Sequence, residues 1–202
     1  MLWHMFGPHF PATGLYVDVG AHHPVRFSNT KIFYDHGWRG VNIDPLPGSM
    51  DLFRRERPED VNLEVGVAAE RGELTYHLFD EPALNGFDPA LSAERDETTD
   101  FTLLETRSVP VVPLRDLLDE HVGPERQIDF LSVDVEGLDA EVLKSNDWSR
   151  YRPRIVVAEV AEKWLEEVES SEVVRLMRSF GYAATTRTAK NCFFQEQERS
   201  GV

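Results

Sequence analysis

The chain has a single cysteine, Cys192, among 202 residues. A lone thiol excludes an internal disulfide framework and a cysteine-based zinc site. Positive charge is scarce: 21 Lys and Arg stand against 36 Asp and Glu, a formal charge of -15. A field of that sign repels phosphate backbones and anionic membrane surfaces, so neither nucleic acid nor a membrane is an expected partner. The densest basic group, Arg54, Arg55 and Arg57, is interleaved with Glu56 and Glu59 and reads as a solvated helix face. No run approaches the ~20 apolar residues of a membrane span. The start, MLWHMFGPHFPATG, lacks the basic region and apolar stretch of a signal peptide, so the cytoplasm is the expected compartment. Internal repeats and low-complexity linkers are also missing, and the length suits one domain over 1–202.

What is present is alternation. Leu15–Val19, Val41–Ile43, Val61–Val65, Phe130–Val133 and Ile155–Val157 are short continuous apolar runs, the pattern of parallel strands covered on both faces. Helical patterns fall between them. Asn29–His36 follows Ser28, a second begins near Ser49, Leu114–His121 stops at Gly123, and Asp139–Ser145 follows the fourth run. Ala161, Trp164, Leu165 and Val168, then Val173, Val174, Met177 and Phe180, carry the spacing of two more helices. The sum is a doubly wound α/β sheet with helices on both faces. Glu73–Phe79 alternates and reads as a half-exposed antiparallel strand, and Tyr182–Arg187 with Asn191–Phe194 reads as a closing hairpin. Residues 1–14 form a short extension, the polar stretch 94–102 a mobile loop within an 80–106 lid, and 196–202 a frayed tail. Trp3, Trp38, Trp148 and Trp164 read as packing residues.

The chemistry concentrates where strands end, because ligands of open α/β sheets bind outside the carboxyl ends of the strands. YVDVGAHH places Asp18 and Gly20 at the end of the first run. GxGxxG is absent, so the pyrophosphate cradle of a dinucleotide-dependent dehydrogenase is missing. Asp44, in VNIDP, is placed to accept hydrogen bonds from a ribose diol. Asp18 and Asp44 together suit an adenosine-type ligand that carries positive charge and no phosphate, as S-adenosylmethionine does. The competing structural reading is that Asp18 forms a turn and that Asp44 starts an Asp-Pro turn. Asp134 and Glu136, in SVDVEG, and Glu159, in VVAEV, can converge on a hard cation such as Mg2+, although a carboxylate after a strand can equally cap the next helix. His22 and His23 follow Gly20 directly and are candidate general bases. Glu81 and Asn85, in DEPALNGFD, are candidate ligands of acceptor hydroxyls.

With these residues in hand, the chain resembles the FkbM-type family of S-adenosylmethionine-dependent methyltransferases. The stretches that carry the resemblance are YVDVGAHHPVRFSNTKIFYDHGWRGVNIDPLPGSMDLF, LFDEPALNGFD and IDFLSVDVEGLDAEVLKSNDW, then RPRIVVAEV. The resemblance implies a Rossmann-like class I methyltransferase fold: a seven-stranded, mostly parallel sheet with an antiparallel last strand. It implies cofactor contacts at Asp18, Gly20, Ala21, Ser28, Asn29, Thr30 and Asp44, and a reaction centre at Asp134 and Glu136. It further implies O-methylation of a small hydroxylated acceptor, such as a sugar or oligosaccharide, for example a mannoside of a methylated polysaccharide. A natural-product acceptor and a catalytically silent cofactor-binding module are the alternatives. His22, His23 and Pro24 stand where many members carry Asn-Asp or Asn-Ile-Gly, which leaves the acceptor open. The short stretch before the first strand leaves shielding of the acceptor to the 81–102 segment or to a second copy in a homodimer.

Overall fold

In a computed structural model of the chain, residues 2–6, 11–162 and 164–197 are described, with Trp3 and His4 described by their backbone alone. The expected packing of Trp3 and the expected fraying of residues 198–202 lie outside the described residues. Among the described residues ten strands form two sheets. The larger has seven strands: β1 (Leu15–Val19), β2 (Arg39–Ile43), β3 (Val61–Leu63), β7 (Phe130–Val133), β8 (Ile155–Glu159), β9 (Tyr182–Arg187) and β10 (Asn191–Glu196). Their spatial order is β3-β2-β1-β7-β8-β10-β9. β1, β2, β3, β7 and β8 are mutually parallel, and β10 runs antiparallel between β8 and β9. This is the class I methyltransferase arrangement with its antiparallel last strand.

The continuous apolar runs are explained by burial on both faces. Every residue of β1 and of β7 is buried. Side chains alternate across a strand, so Leu15, Val17 and Val19 enter one core while Tyr16 enters the other. The first core is closed by α5 (Leu114–His121), α6 (Asp139–Lys144) and α8 (Glu172–Ser179) through Leu117, Leu118, Val142, Leu143 and Met177. The second is closed by α1 (Leu2–Met5) and α2 (Lys31–Asp35) through Leu2 and Phe33, with Trp38 in the same core. Trp38 is fully buried, and its truncation to Ala should cost about 3–5 kcal/mol. α3 (Ser49–Glu56) adds Met50 and Phe53 against Ala21.

The smaller sheet has the order β4-β6-β5, from β4 (Gly66–Val67), β5 (Gly72–Phe79) and β6 (Leu103–Val112). β5 is the expected antiparallel strand, paired along its length with β6. The 94–102 stretch is not an irregular loop. It completes α4 (Pro89–Thr98) and leads into β6. Asp88 starts α4 by accepting from the Ala90 and Leu91 amides, and Pro89 occupies its first turn.

Two further expectations are corrected. Arg57 is fully buried rather than on a solvated face, because α3 ends at Glu56 and the chain turns Arg57 inward at the helix C-cap. Ala161, Trp164, Leu165 and Val168 do not share a helix. α7 spans only Leu165–Glu169 and buries Val168 alone, which leaves Trp164 and Leu165 each 68% exposed. No helix among the described residues is long and apolar enough to cross a membrane.

Candidate functional site

β1, β2, β7 and β8 end at one edge of the sheet, and the residues that follow build the site. Gly20 leaves β1 at φ +79, and both its amide and that of Ala21 donate to the Ile43 carbonyl at 2.9 and 3.1 Å. A Cβ on Gly20 would lie 1.8 Å from the Asp134 carbonyl oxygen. Glycine is required here twice over: by the left-handed turn and by the approach of the β7 loop.

A cavity of about 220 Å³ opens at this edge. Asp18, Gly20, Ala21, His22, Ser28, Asn29, Asp44, Asn85, Asp134 and Glu136 all line it. Ten of the residues singled out in the sequence thus meet in one place. Its carboxylates are Asp18, Asp44, Asp134 and Glu136, and no Lys or Arg is among its lining residues. One wall is apolar, formed by Leu46, Val65, Val67 and Phe87. The sequence reading missed this wall because those residues lie far apart in the chain, Val67 on β4 and the others on separate loops.

Asp44 is buried and holds its loop as well as facing the cavity. Its two carboxylate oxygens accept from the His22 and Leu46 amides, at 2.8 and 2.9 Å. The bond to Leu46 is the Asp-Pro turn, so the turn-forming role and the cavity-lining role coexist. Burial outweighs these donors and pushes the Asp44 carboxyl up to about 6. Asp18 sits deeper. Thr30 donates to it from Oγ1 at 2.9 Å, and burial raises its pKa. Thr30 itself is fully buried and does not reach the cavity; it acts behind Asp18.

Asp134 follows β7. Burial, then the charges of Glu159 and Glu136, push its carboxyl up to about 7. One oxygen each of Asp134, Glu136 and Glu159 lie within 4.8 Å of one another. Such a trio of hard oxygen donors fits a hard divalent cation. Glu136, at φ +53, also pairs with Arg95 of α4, and Glu159 pairs with Lys190 at 3.1 Å. Glu159 opens into a neighbouring cavity of about 310 Å³ that Glu136 shares. Neither Asp134 nor Asp139 caps α6, whose N-cap Leu138 makes no side-chain bond. Asp139 is buried, accepts from the Glu159 amide at 3.3 Å, and is held far above the usual carboxylate range by burial and by Asp134.

The two histidines part company. His22 lines the cavity, with its pKa lowered by burial and by the Arg26 charge. His23 does not line it. Its Nδ1 accepts from the Val25 and Arg26 amides at 3.0 and 2.9 Å, so the ring closes its own loop. Of the two candidate acceptor ligands, Asn85 lines the cavity and accepts from the Phe79 amide at 2.7 Å. Glu81 stays outside the lining, pairs with Arg26 at 2.8 Å and accepts from the Ala83 amide at 3.2 Å.

No curated protein is similar enough in sequence to count as a match. Among solved structures, a precorrin-6y C5,15-methyltransferase from Geobacter metallireducens GS-15 is similar, with a TM-score of 0.43 and 9% identity, covering 92% of this chain and 81% of that one. The family described as the Methyltransferase FkbM domain matches residues 18–184, from Asp18 on β1 to Ala184 on β9. That span takes in every loop that lines the cavity, and the chain belongs to the FkbM methyltransferase family.

Proposed function

We propose that the chain is an S-adenosylmethionine-dependent O-methyltransferase acting on a saccharide hydroxyl. The carrying observation is the lining of the first cavity: four carboxylates, an apolar wall and no basic side chain. A cationic, phosphate-free adenosine ligand suits that set. A dinucleotide does not, since nothing there would neutralise a pyrophosphate.

When bound, S-adenosylmethionine supplies an electrophilic methyl group on its sulfonium. Asp44 is placed to accept from the ribose diol. Leu46, Val65, Val67 and Phe87 offer a slot for the adenine faces. Asp18, Ser28 and Asn29 would face the amino-acid end, where a carboxylate suits an ammonium group. Asp134 and Glu136 then flank the reaction centre. An alcohol needs its proton removed as the new bond forms, and a base of pKa near the working pH does this best, worth about 10²–10⁴ in rate. At about 7, Asp134 fits that task. His22 remains a second candidate, while the ring of His23 is already committed to its loop. If Asp134, Glu136 and Glu159 instead hold a Mg2+ ion, Asp134 is not free to act as base: the ion would supply a Lewis acid that lowers the pKa of the acceptor hydroxyl, and His22 would be left to take the proton. Asn85 and the cavity beyond Glu136 offer polar contacts for an acceptor rich in hydroxyls.

The test is transfer of labelled methyl to a panel of simple glycosides, methyl α-mannoside included, with Asp134→Asn as control. Label on a glycoside hydroxyl, lost in the variant, supports the reading. Transfer confined to amines or carbons would refute it.

A further inference from the structure

Arg57 has no part in the lining of either cavity, yet it is a fully buried arginine. Burying such a group costs several kcal/mol unless it is hydrogen-bonded; here Nε has no partner, and the two Nη groups make their close hydrogen bonds to one segment. Nη2 donates to the Pro24 carbonyl and to Ser28 Oγ, the latter at 2.7 Å. Nη1 donates to Thr30 Oγ1 at 2.6 Å. Thr30 Oγ1 in turn donates to Asp18. Ser28 Oγ accepts from the Thr30 and Lys31 amides at 3.2 and 3.1 Å, which fixes the entry to α2. The segment gripped in this way, from Pro24 to Thr30, carries Phe27, Ser28 and Asn29 into the first cavity. It also contains a strained non-glycine turn, Phe27 at φ +57. Such a conformation persists only where its surroundings impose it.

We propose that Arg57 is a positioning residue for the cofactor: its guanidinium fork ties the loop after β1 and the Asp18 carboxylate into one rigid half of the binding cavity. The proposal rests on the cavity being the S-adenosylmethionine site. The planar, five-donor fork is the reason for arginine, since a lysine ammonium is a point charge that cannot span Pro24, Ser28 and Thr30 together. The neighbouring Tyr16–Asp60–Asn42 network, with Tyr16 Oη donating to Asp60 at 2.5 Å, anchors the strand side of the same group.

The experiment pairs hydrogen exchange on the ligand-free protein with calorimetric titration of S-adenosylhomocysteine, on wild type, Arg57→Lys and Thr30→Val. Thr30→Val keeps the side-chain shape and removes the hydroxyl through which Arg57 and Ser28 are joined to Asp18. Arg57→Lys is expected to raise amide exchange in residues 22–31 at least tenfold over wild type, with β7 and β8 unchanged. Both variants are expected to bind S-adenosylhomocysteine at least tenfold more weakly, about 1.4 kcal/mol. A folded Arg57→Lys with wild-type exchange in that loop overturns the proposal, as does wild-type affinity in Thr30→Val. If Arg57→Lys does not fold, Thr30→Val decides alone. A wild-type protein that binds no S-adenosylhomocysteine overturns the cofactor reading instead, while the ligand-free exchange still reads the grip on the loop.

Discussion

Gly20→Ala is the substitution whose cost the structure defines most sharply. At φ +79 an alanine would sit in the left-handed region, at a cost of about 1–2 kcal/mol. Its Cβ would lie 1.8 Å from the Asp134 carbonyl oxygen, and real Cβ contacts essentially never fall below 3.0 Å, so the two segments must part by at least 1.2 Å. Neither partner yields easily. The Gly20 amide is bonded to Ile43, and the Asp134 amide donates to Val19 at 3.0 Å. Separation breaks or stretches a contact between β1 and β7 at their common edge. Adding the loss of about one such bond, about 1 kcal/mol, brings the expected destabilisation to about 2–3 kcal/mol by urea denaturation. The displaced atom belongs to the residue proposed as base, and a misplacement of about 1 Å can cost about 10² in rate. Turnover should therefore fall at least a hundredfold in the fraction that remains folded. Gly20→Ala with wild-type stability and turnover would refute both the reading of this turn and the placement of Asp134 at the reaction centre.

The two raised carboxyls give pH predictions. Below its pKa of about 6, Asp44 is protonated and loses acceptor capacity for a diol, so affinity for S-adenosylhomocysteine should fall as pH drops from 7 to 5 in titrations on wild type and level out in Asp44→Asn. For Asp134 the folded pKa lies above the unfolded one, so the native state holds the proton more tightly. The stability this brings is complete below about pH 4 and is lost as pH rises through 7. Asp134→Asn should thus gain on wild type between pH 4 and 7, by at most about 4 kcal/mol at 1.36 kcal/mol per unit, while losing about 10²–10⁴ in turnover. A difference in stability that stays flat with pH would contradict the shift. If Asp134, Glu136 and Glu159 hold Mg2+, EDTA should abolish turnover and added Mg2+ restore it; full activity in excess EDTA would remove the metal from the account.

How much of this was legible in the sequence depends on what each residue faces. β1 and β7 read to their true ends because both faces are buried, so Leu15–Val19 is apolar but for Asp18 and Phe130–Val133 is apolar but for Ser132. β6 did not read as a strand. It is polar and largely exposed, and Pro110 within it argues against a central strand, which is where β6 lies in the order β4-β6-β5. α4 was hidden by its polarity, although Asp88 before Pro89 was a usable start signal. The strand-end acids Asp18, Asp44 and Asp134 were legible because topology alone brings them together. Thr30 was named as a cofactor contact, but its place behind Asp18 was not legible, nor was the burial of Arg57, since charge patterning cannot distinguish an arginine in water from one turned inward at a helix end. The separation of His22 from His23 was equally invisible, because it depends on which amides the His23 ring caps.

The central claim is that the cavity at the ends of β1 and β2 holds S-adenosylmethionine with Asp44 on its ribose. Calorimetric titration with S-adenosylhomocysteine at pH 7.5, on wild type and on Asp44→Ala, tests it most directly. The account predicts micromolar binding to wild type, weakened at least tenfold by the substitution, about 1.4 kcal/mol. No binding to wild type, or equal binding to both, would contradict it.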